Sequence, residues 1–195
     1  MRLATLLGLI AILIGINLLY GCAPAVVGGA ATGVSVVHDR RSAGTALEDQ
    51  NIEFKALHLK TKDPHQLYKR GNFSATSYNK AILLTGQADT EEVHQRYVGM
   101  IRKIAEVKRV IDEIKVGPSA SITQQGNDAY ITSKVKIKMF DVKLPDFDPT
   151  RVKVVTDMGN VYLMGIVSQK EADAVVQKVR YVSGVKRVVK IFEYR

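Results

Sequence analysis

The sequence predicts an α+β protein in which one small unit occurs twice. Each copy runs helix, strand, strand, helix, strand, with two helices on one face of a three-stranded mixed sheet. Two observations carry this. The first is repetition: Leu83-Leu84-Thr85-Gly86 and Val107-Lys108-Arg109-Val110 are echoed by Leu163-Met164-Gly165 and Val185-Lys186-Arg187-Val188. The glycines lie 79 residues apart and the tetrads 78, so one residue has been gained or lost between these landmarks. A repeat of this size sets the architecture before any element is assigned. The second is a shift of apolar period inside each copy, from helical spacing to alternation and back.

The chain opens on Arg2 and an apolar run from Leu3 to Tyr20. A basic start, an apolar core and a small residue before the cut mark residues 1–21 as a secretory signal. Leu19-Tyr20-Gly21-Cys22 resembles a bacterial lipobox, which implies that Cys22 is lipidated and becomes the N-terminus. Tyr20 is bulkier than that pattern usually carries. The competing reading is an uncleaved membrane anchor, because about 18 apolar residues approach the length that spans a bilayer. Against it, Cys22 is the only cysteine and stands where lipidation needs it; a lone cysteine also excludes an intrachain disulfide. Ala23 rather than Asp after the cysteine fits release from the inner membrane. The expected address is therefore the outer membrane, lipid-anchored and facing the periplasm.

Residues 22–47 are expected to form the lipidated N-terminus and a flexible tether, since Ala23 to Gly44 is rich in Gly, Ala, Ser and Val without packing periodicity. The first copy spans 48–117. Asp49 is a plausible helix N-cap, followed by Ile52 and Ala56 on one face. Phe73 and Ala75 alternate as in a half-buried strand, Asn79-Lys80 suits a tight turn, and Ile82, Leu84 and Gly86 mark the return strand. Asp89 is read as the next cap; Val93, Tyr97, Met100, Ile101 and Ile104 give that helix one apolar face. Val107 to Val116 closes the copy. A linker, 118–127, follows.

The second copy, 128–195, repeats the order. Asp128 is read as a cap for a helix with Ile131, Val135 and Met139 inward, and Val152 and Val154 match Phe73 and Ala75. Met158-Gly159-Asn160 is the turn, and Val161, Leu163 and Gly165 lie on the return strand. Ser168 caps a helix with Ala172, Val175, Val176 and Val179 inward, and Val185 to Tyr194 is the last strand. Each copy is short, so its core is modest and docking or lipid contact would help it.

Removal of residues 1–21 from the 195 leaves 174, with a net charge of +3 before about Gly117 and +5 after it. A basic surface points to nucleic acid, anionic membrane or an acidic partner, or serves solubility alone. A periplasmic address excludes nucleic acid and leaves anionic lipid as the simplest polyanion. His38, His58, His65 and His94 lack the paired spacing of metal ligands, and no Gly-x-Ser-x-Gly elbow is present. Asp112-Glu113 and Asp146/Asp148 read as surface charge. The expectation is a protein with no catalytic residues, no metal, no cofactor and no small-molecule substrate.

The helix after Asp128 holds the informative contrast. With Ile131, Val135 and Met139 inward, Tyr130, Lys134 and Ile137 lie on the far side, with Phe140 beside them and Lys138 near. Aromatic and basic residues together suit a membrane interface. The positions 79 earlier, Asn51, Lys55 and His58, are polar. Tyr130, Lys134, Ile137, Lys138 and Phe140 are therefore the expected phospholipid-binding residues. The alternative is that Tyr130 and Ile137 pack against the other copy or the linker.

These residues resemble the BON domain of bacterial envelope proteins: an early Asp, helix positions Ile and Val, a Gly-Asn turn before a strand ending in Gly, and a Gly-Val-x-x-Val closing strand. The second copy carries the signature in Asp128, Ile131, Val135, Gly159, Asn160, Val161, Leu163, Gly165, Gly184, Val185 and Val188. The first departs from it at Glu106, in place of the glycine matching Gly184, and at Asn79-Lys80. A lipobox, a tether and two such units resemble the dual-BON outer-membrane lipoproteins. The resemblance implies a non-enzymatic protein that supports envelope integrity and binds anionic phospholipid chiefly through its second domain. The rival expectation is a structural adaptor that holds an outer-membrane or cell-wall-associated partner.

Overall fold

A computed structural model describes residues 39–195; the signal, Cys22 and most of the expected tether lie outside the described residues. Helix α1 (Ala43–Lys62), β1 (Gly71–Tyr78), β2 (Ala81–Ala88), α2 (Glu91–Ile101), β3 (Arg109–Asp112) and β4 (Lys115–Val116) form the first copy. The second contains α3 (Ile122–Met139), β5 (Lys153–Asp157), β6 (Asn160–Val167), α4 (Gln169–Val179) and β7 (Arg187–Tyr194). In each, an antiparallel hairpin pairs along its second strand with a parallel closing strand. In the first copy that closing strand is broken into β3 and β4, both on β2.

Both first helices start earlier than expected. Ser42 and Ser121 are the N-caps, accepting from the amides of Thr45 and Gln124. Consequently α1 begins inside the segment assigned to the tether, and α3 inside the linker. Asp49 and Asp128 are not caps but buried mid-helix residues. Their carboxylates reach across to the hairpin turns. Asp49 accepts from the amides of Asn79 and Lys80 at 2.7 Å each and from the Ser77 hydroxyl at 2.7 Å. Asp128 accepts from the amides of Met158 at 2.9 Å and Gly159 at 2.8 Å. Both turns are two residues long with positive φ at each central position, the geometry that matches strand twist in a hairpin. Asn79, Lys80 and Met158 adopt it without being glycine, so the carboxylates hold strained backbone in place.

The other two helices are capped by Thr90 and Ser168. Asp89 is one residue out: Thr90, not Asp89, accepts from the Val93 amide. Ser168 is a cap as expected, and Glu171 completes a capping box. On the helix side of each sheet lies one core. Ile52, Ala56, Ile82, Leu84, Tyr97 and Ile101 belong to the first, and Ile131, Val135, Val161, Leu163, Val175 and Val179 to the second.

A third cluster was not anticipated. Tyr78 and Leu83 from one copy pack with Tyr162, Met164 and Ile191 from the other. The sheets thus meet through the faces that carry no helices, and β2 is buried along its whole length. Polar bonds rim this seam. Asn79 donates to Glu193 at 2.6 Å, Gln87 to Asp157 at 3.1 Å, and Lys153 bonds Glu53 at 2.8 Å.

Two consecutive arginines ahead of α1 join the same assembly. Arg41 bonds Asp49 at 2.8 Å and lies 4.0 Å over the Tyr78 ring. Arg40 crosses to the second copy, forking onto both Glu171 oxygens at 2.7 Å and donating to the Ile166 carbonyl at 2.8 Å. Its guanidinium is the main reason the Glu171 carboxyl falls from 4.5 to about 2. A lowered carboxyl stabilises the fold above its unfolded pKa and loses that contribution as pH falls toward the folded one. The window is pH 4.5 down to about 2, and the contribution is on the order of 3 kcal/mol. Arg40→Ala is expected to lower stability at pH 7 and to flatten the acid limb in that window. Parallel acid-unfolding curves for wild type and variant would refute the assignment.

Candidate functional site

Helix α3 presents the expected face. Ser121 starts the helix, Ile131, Val135 and Met139 fix its inward side, and it ends at Phe140, whose amide bonds back to Ile137 and Lys138. With that side pinned, Tyr130, Ile137 and Phe140 stand outward at 62%, 71% and 63% exposure. Neither the other copy nor the linker covers Tyr130 and Ile137, contrary to the alternative reading. Three large apolar side chains along one exposed helix are costly to leave in water, about 25 cal/mol for each Å² they could bury.

The two lysines differ. Lys138 pairs with Asp141 at 2.7 Å, and this hydrogen bond is the main cause that holds the Asp141 carboxyl below its ordinary value. Its charge is therefore largely matched. Lys134 lies 4.4 Å over the Tyr130 ring and donates to the Ser183 carbonyl at 2.6 Å. Both partners are neutral, so among the described residues its positive charge has no carboxylate against it.

The first copy offers a less simple contrast than its three polar positions promised. Asn51 and His58 are exposed, and Lys55 is ion-paired to Glu106. Yet α1 also exposes Leu47, Phe54 and Leu57 at 66%, 69% and 52%. Phe54 and Leu57 line a groove of about 850 Å³ with Met100, Ile104 and Ala105, and Lys55 and Glu106 lie along it. The sequence signal was available. A full helical wheel anchored on Ile52 and Ala56 puts Leu47, Phe54 and Leu57 opposite the core, whereas comparing only the positions equivalent to Tyr130, Lys134 and Ile137 skipped them.

Among the described residues no group of three or more His, Cys, Asp or Glu is placed to hold a metal ion. His94 bonds Asp112 at 2.8 Å, while His58 and His65 lie exposed elsewhere. No helix among them is long and apolar enough to cross a membrane. The α3 site is an exposed surface, with Tyr130, Ile137 and Phe140 open to solvent.

Residues 49–118 and 127–195 each match the BON domain family. The outer membrane lipoprotein DolP of Haemophilus influenzae is 37% identical over 187 residues, covering 95% of this chain and 95% of that one. A 21 kDa hemolysin of Actinobacillus pleuropneumoniae is 32% identical over 156 residues, 80% of this chain and 79% of that one. Among solved structures, the C-terminal domain of CdsD from the type III secretion system of Chlamydia trachomatis aligns at a TM-score of 0.29 and 16% identity. That alignment covers 75% of this chain and 67% of the other.

Proposed function

Because this chain belongs to the BON-domain family, with two copies of the domain, we propose that it is a non-enzymatic outer-membrane lipoprotein. It is anchored through Cys22 and supports envelope integrity by binding anionic phospholipid through its second domain. Similarity to DolP along nearly the whole chain supports the lipoprotein and its address. The observation that carries the lipid contact is the outward face of α3: Tyr130, Ile137 and Phe140 exposed around a lysine with only neutral partners. At a bilayer surface the rings enter the headgroup region, and a lysine near anionic lipid contributes about 1 kcal/mol. Lys138 contributes less than Lys134 because Asp141 offsets it.

The test uses the chain from residue 22 with Cys22→Ser, so that no acyl chain confounds the result. Tyr130→Ala with Lys134→Glu is expected to lower binding to phosphatidylglycerol vesicles about tenfold or more and to weaken its dependence on salt. Thermal unfolding should shift little, since exposed residues contribute little to stability. Equal binding by the variant, or loss of fold in place of loss of binding, favours the adaptor reading, in which the same face holds an envelope protein. The anchor has a separate check. Mature protein whose mass shows no acyl addition at Cys22 contradicts the lipoprotein reading.

A further inference from the structure

The loop between α4 and β7 lies against the same face, and it differs from its counterpart in the first copy at the positions that matter. Ser183 supplies the carbonyl that holds Lys134. Gly184, at φ +95, sits so close to α3 that an added Cβ would lie 2.9 Å from Ile131 Cδ1. Its packing keeps the loop beside the helix. Three residues before Gly184, Tyr181 is 76% exposed, the most exposed aromatic ring among the described residues. Arg180 lies 5.2 Å from that ring. The helix and the loop packed on it therefore each carry a tyrosine with its own cation. Neither Lys134 nor Arg180 has a carboxylate partner among the described residues.

The first copy shows what the same backbone looks like without this use. Counting back 78 residues, Lys103 replaces Tyr181 and Glu106 replaces Gly184. Glu106 reaches Lys55, the equivalent of Lys134, and forms an ion pair with it. One substitution thus neutralises the cation in the first domain, and its absence leaves the charge free in the second. Burying an aromatic ring in a headgroup layer while presenting unneutralised cations to phosphate suits an anionic lipid surface.

We infer that the Arg180–Gly184 loop is the second half of the lipid contact: Tyr181 is a second interfacial anchor beside Tyr130, and Arg180 and Lys134 together engage the headgroup phosphate. This rests on the lipid contact proposed above and adds a second point of attachment, which fixes the tilt of the domain on the bilayer. A single helix touching a surface can roll about its own axis; a helix and a flanking loop cannot.

The chain contains no tryptophan, so a single Tyr→Trp substitution reports its own environment. Three variants of the chain from residue 22 with Cys22→Ser are compared: Tyr130→Trp, Tyr181→Trp and, on the first domain, Tyr68→Trp, where the native ring is 48% exposed. With phosphatidylglycerol vesicles the first two are expected to shift their emission to the blue, and the third is not. Phosphatidylcholine vesicles should shift none. Arg180→Ala should cut partitioning onto phosphatidylglycerol about fivefold, the worth of one cation near an anionic surface, with unchanged thermal unfolding. A shift at Tyr130→Trp without one at Tyr181→Trp overturns the two-point contact and leaves the lipid reading standing. No shift at either, with no binding, overturns both. A shift at all three positions shows attachment without a defined face and also overturns the inference.

Discussion

Asp49→Ala is expected to destabilise the fold by about 3–5 kcal/mol, a large part of the 5–15 kcal/mol typical of a domain. The carboxylate is 2% exposed and serves four donors at once: the Asn79 and Lys80 amides, the Ser77 hydroxyl and Arg41. Alanine leaves all of them without this acceptor, and the half-buried Arg41 keeps Asp39 alone as an ionic partner among the described residues. Each stranded buried donor costs about 1–3 kcal/mol. Asp128→Ala should cost less, about 2–4 kcal/mol. It frees two turn amides and the Gln124 side-chain amide but no cation, and its turn already has Gly159 at one of the strained positions. The turn itself can be separated from the rest of the loss. Lys80→Gly removes left-handed strain of about 1 kcal/mol, and in the Asp49→Ala background it should recover part of the stability. Denaturant midpoints for the four chains check this. An Asp49→Ala midpoint at or above that of Asp128→Ala would contradict the argument.

That carboxylate also shows where sequence reasoning reaches its limit. A lone Asp ahead of an apolar stripe reads as an N-cap because capping is the commonest local use of Asp. Here the bonds it makes run to residues about 30 positions away, and no local pattern reports them. The duplicated order of elements was legible because helical and strand periods recur in register across two copies. The sheet-to-sheet seam was legible too, in a signal that was passed over. Ala81-Ile82-Leu83-Leu84 and Val161-Tyr162-Leu163-Met164 are continuous apolar runs, and a strand buried on both faces has no polar side to alternate with. Reading only Ile82, Leu84, Val161 and Leu163 from those runs found the helix side and left Leu83, Tyr162 and Met164 unexplained.

The candidate surface was readable to the same degree. Tyr130, Ile137 and Phe140 could be placed outward from helical geometry alone, once Ile131, Val135 and Met139 were taken as inward. The difference between Lys134 and Lys138 could not, because it depends on whether a carboxylate is nearby: Asp141 three residues on for one, a carbonyl 49 residues away for the other. Tyr181 escaped notice for the same reason. Its loop comes beside α3 only through the fold, where the Ser183 carbonyl accepts from Lys134, a proximity with no counterpart in sequence spacing.

Gly86→Ala is expected to abolish stable folding of the first domain. A Cβ at Gly86 would lie 1.7 Å from the backbone oxygen of Asn72, and the residue sits at φ +112, where L side chains are strained. The obstacle is main chain of the neighbouring strand, in register through Phe73↔Gly86, so relief requires parting β1 from β2 at the centre of the sheet. Two penalties coincide, and the cost exceeds about 4 kcal/mol. Gly165, the matching glycine of the second copy, is a milder case. Its added Cβ would meet the Arg151 carbonyl oxygen at 2.8 Å, without a positive φ, and a loss of about 1–3 kcal/mol is expected. Gly99 in α2 and Gly126 in α3 have nothing within 4 Å of a new Cβ, so alanine there should stabilise by about 0.5–1 kcal/mol through helix propensity. One substitution thus has opposite signs at four sites. Because Leu83 and Tyr78 also form the seam with the second sheet, loss of the β1–β2 ladder should expose that face as well. Dye binding to apolar surface is expected to rise in Gly86→Ala and stay at the wild-type level in Gly99→Ala. A cooperative, wild-type-like unfolding transition in Gly86→Ala would show that the hairpin register is not the one described.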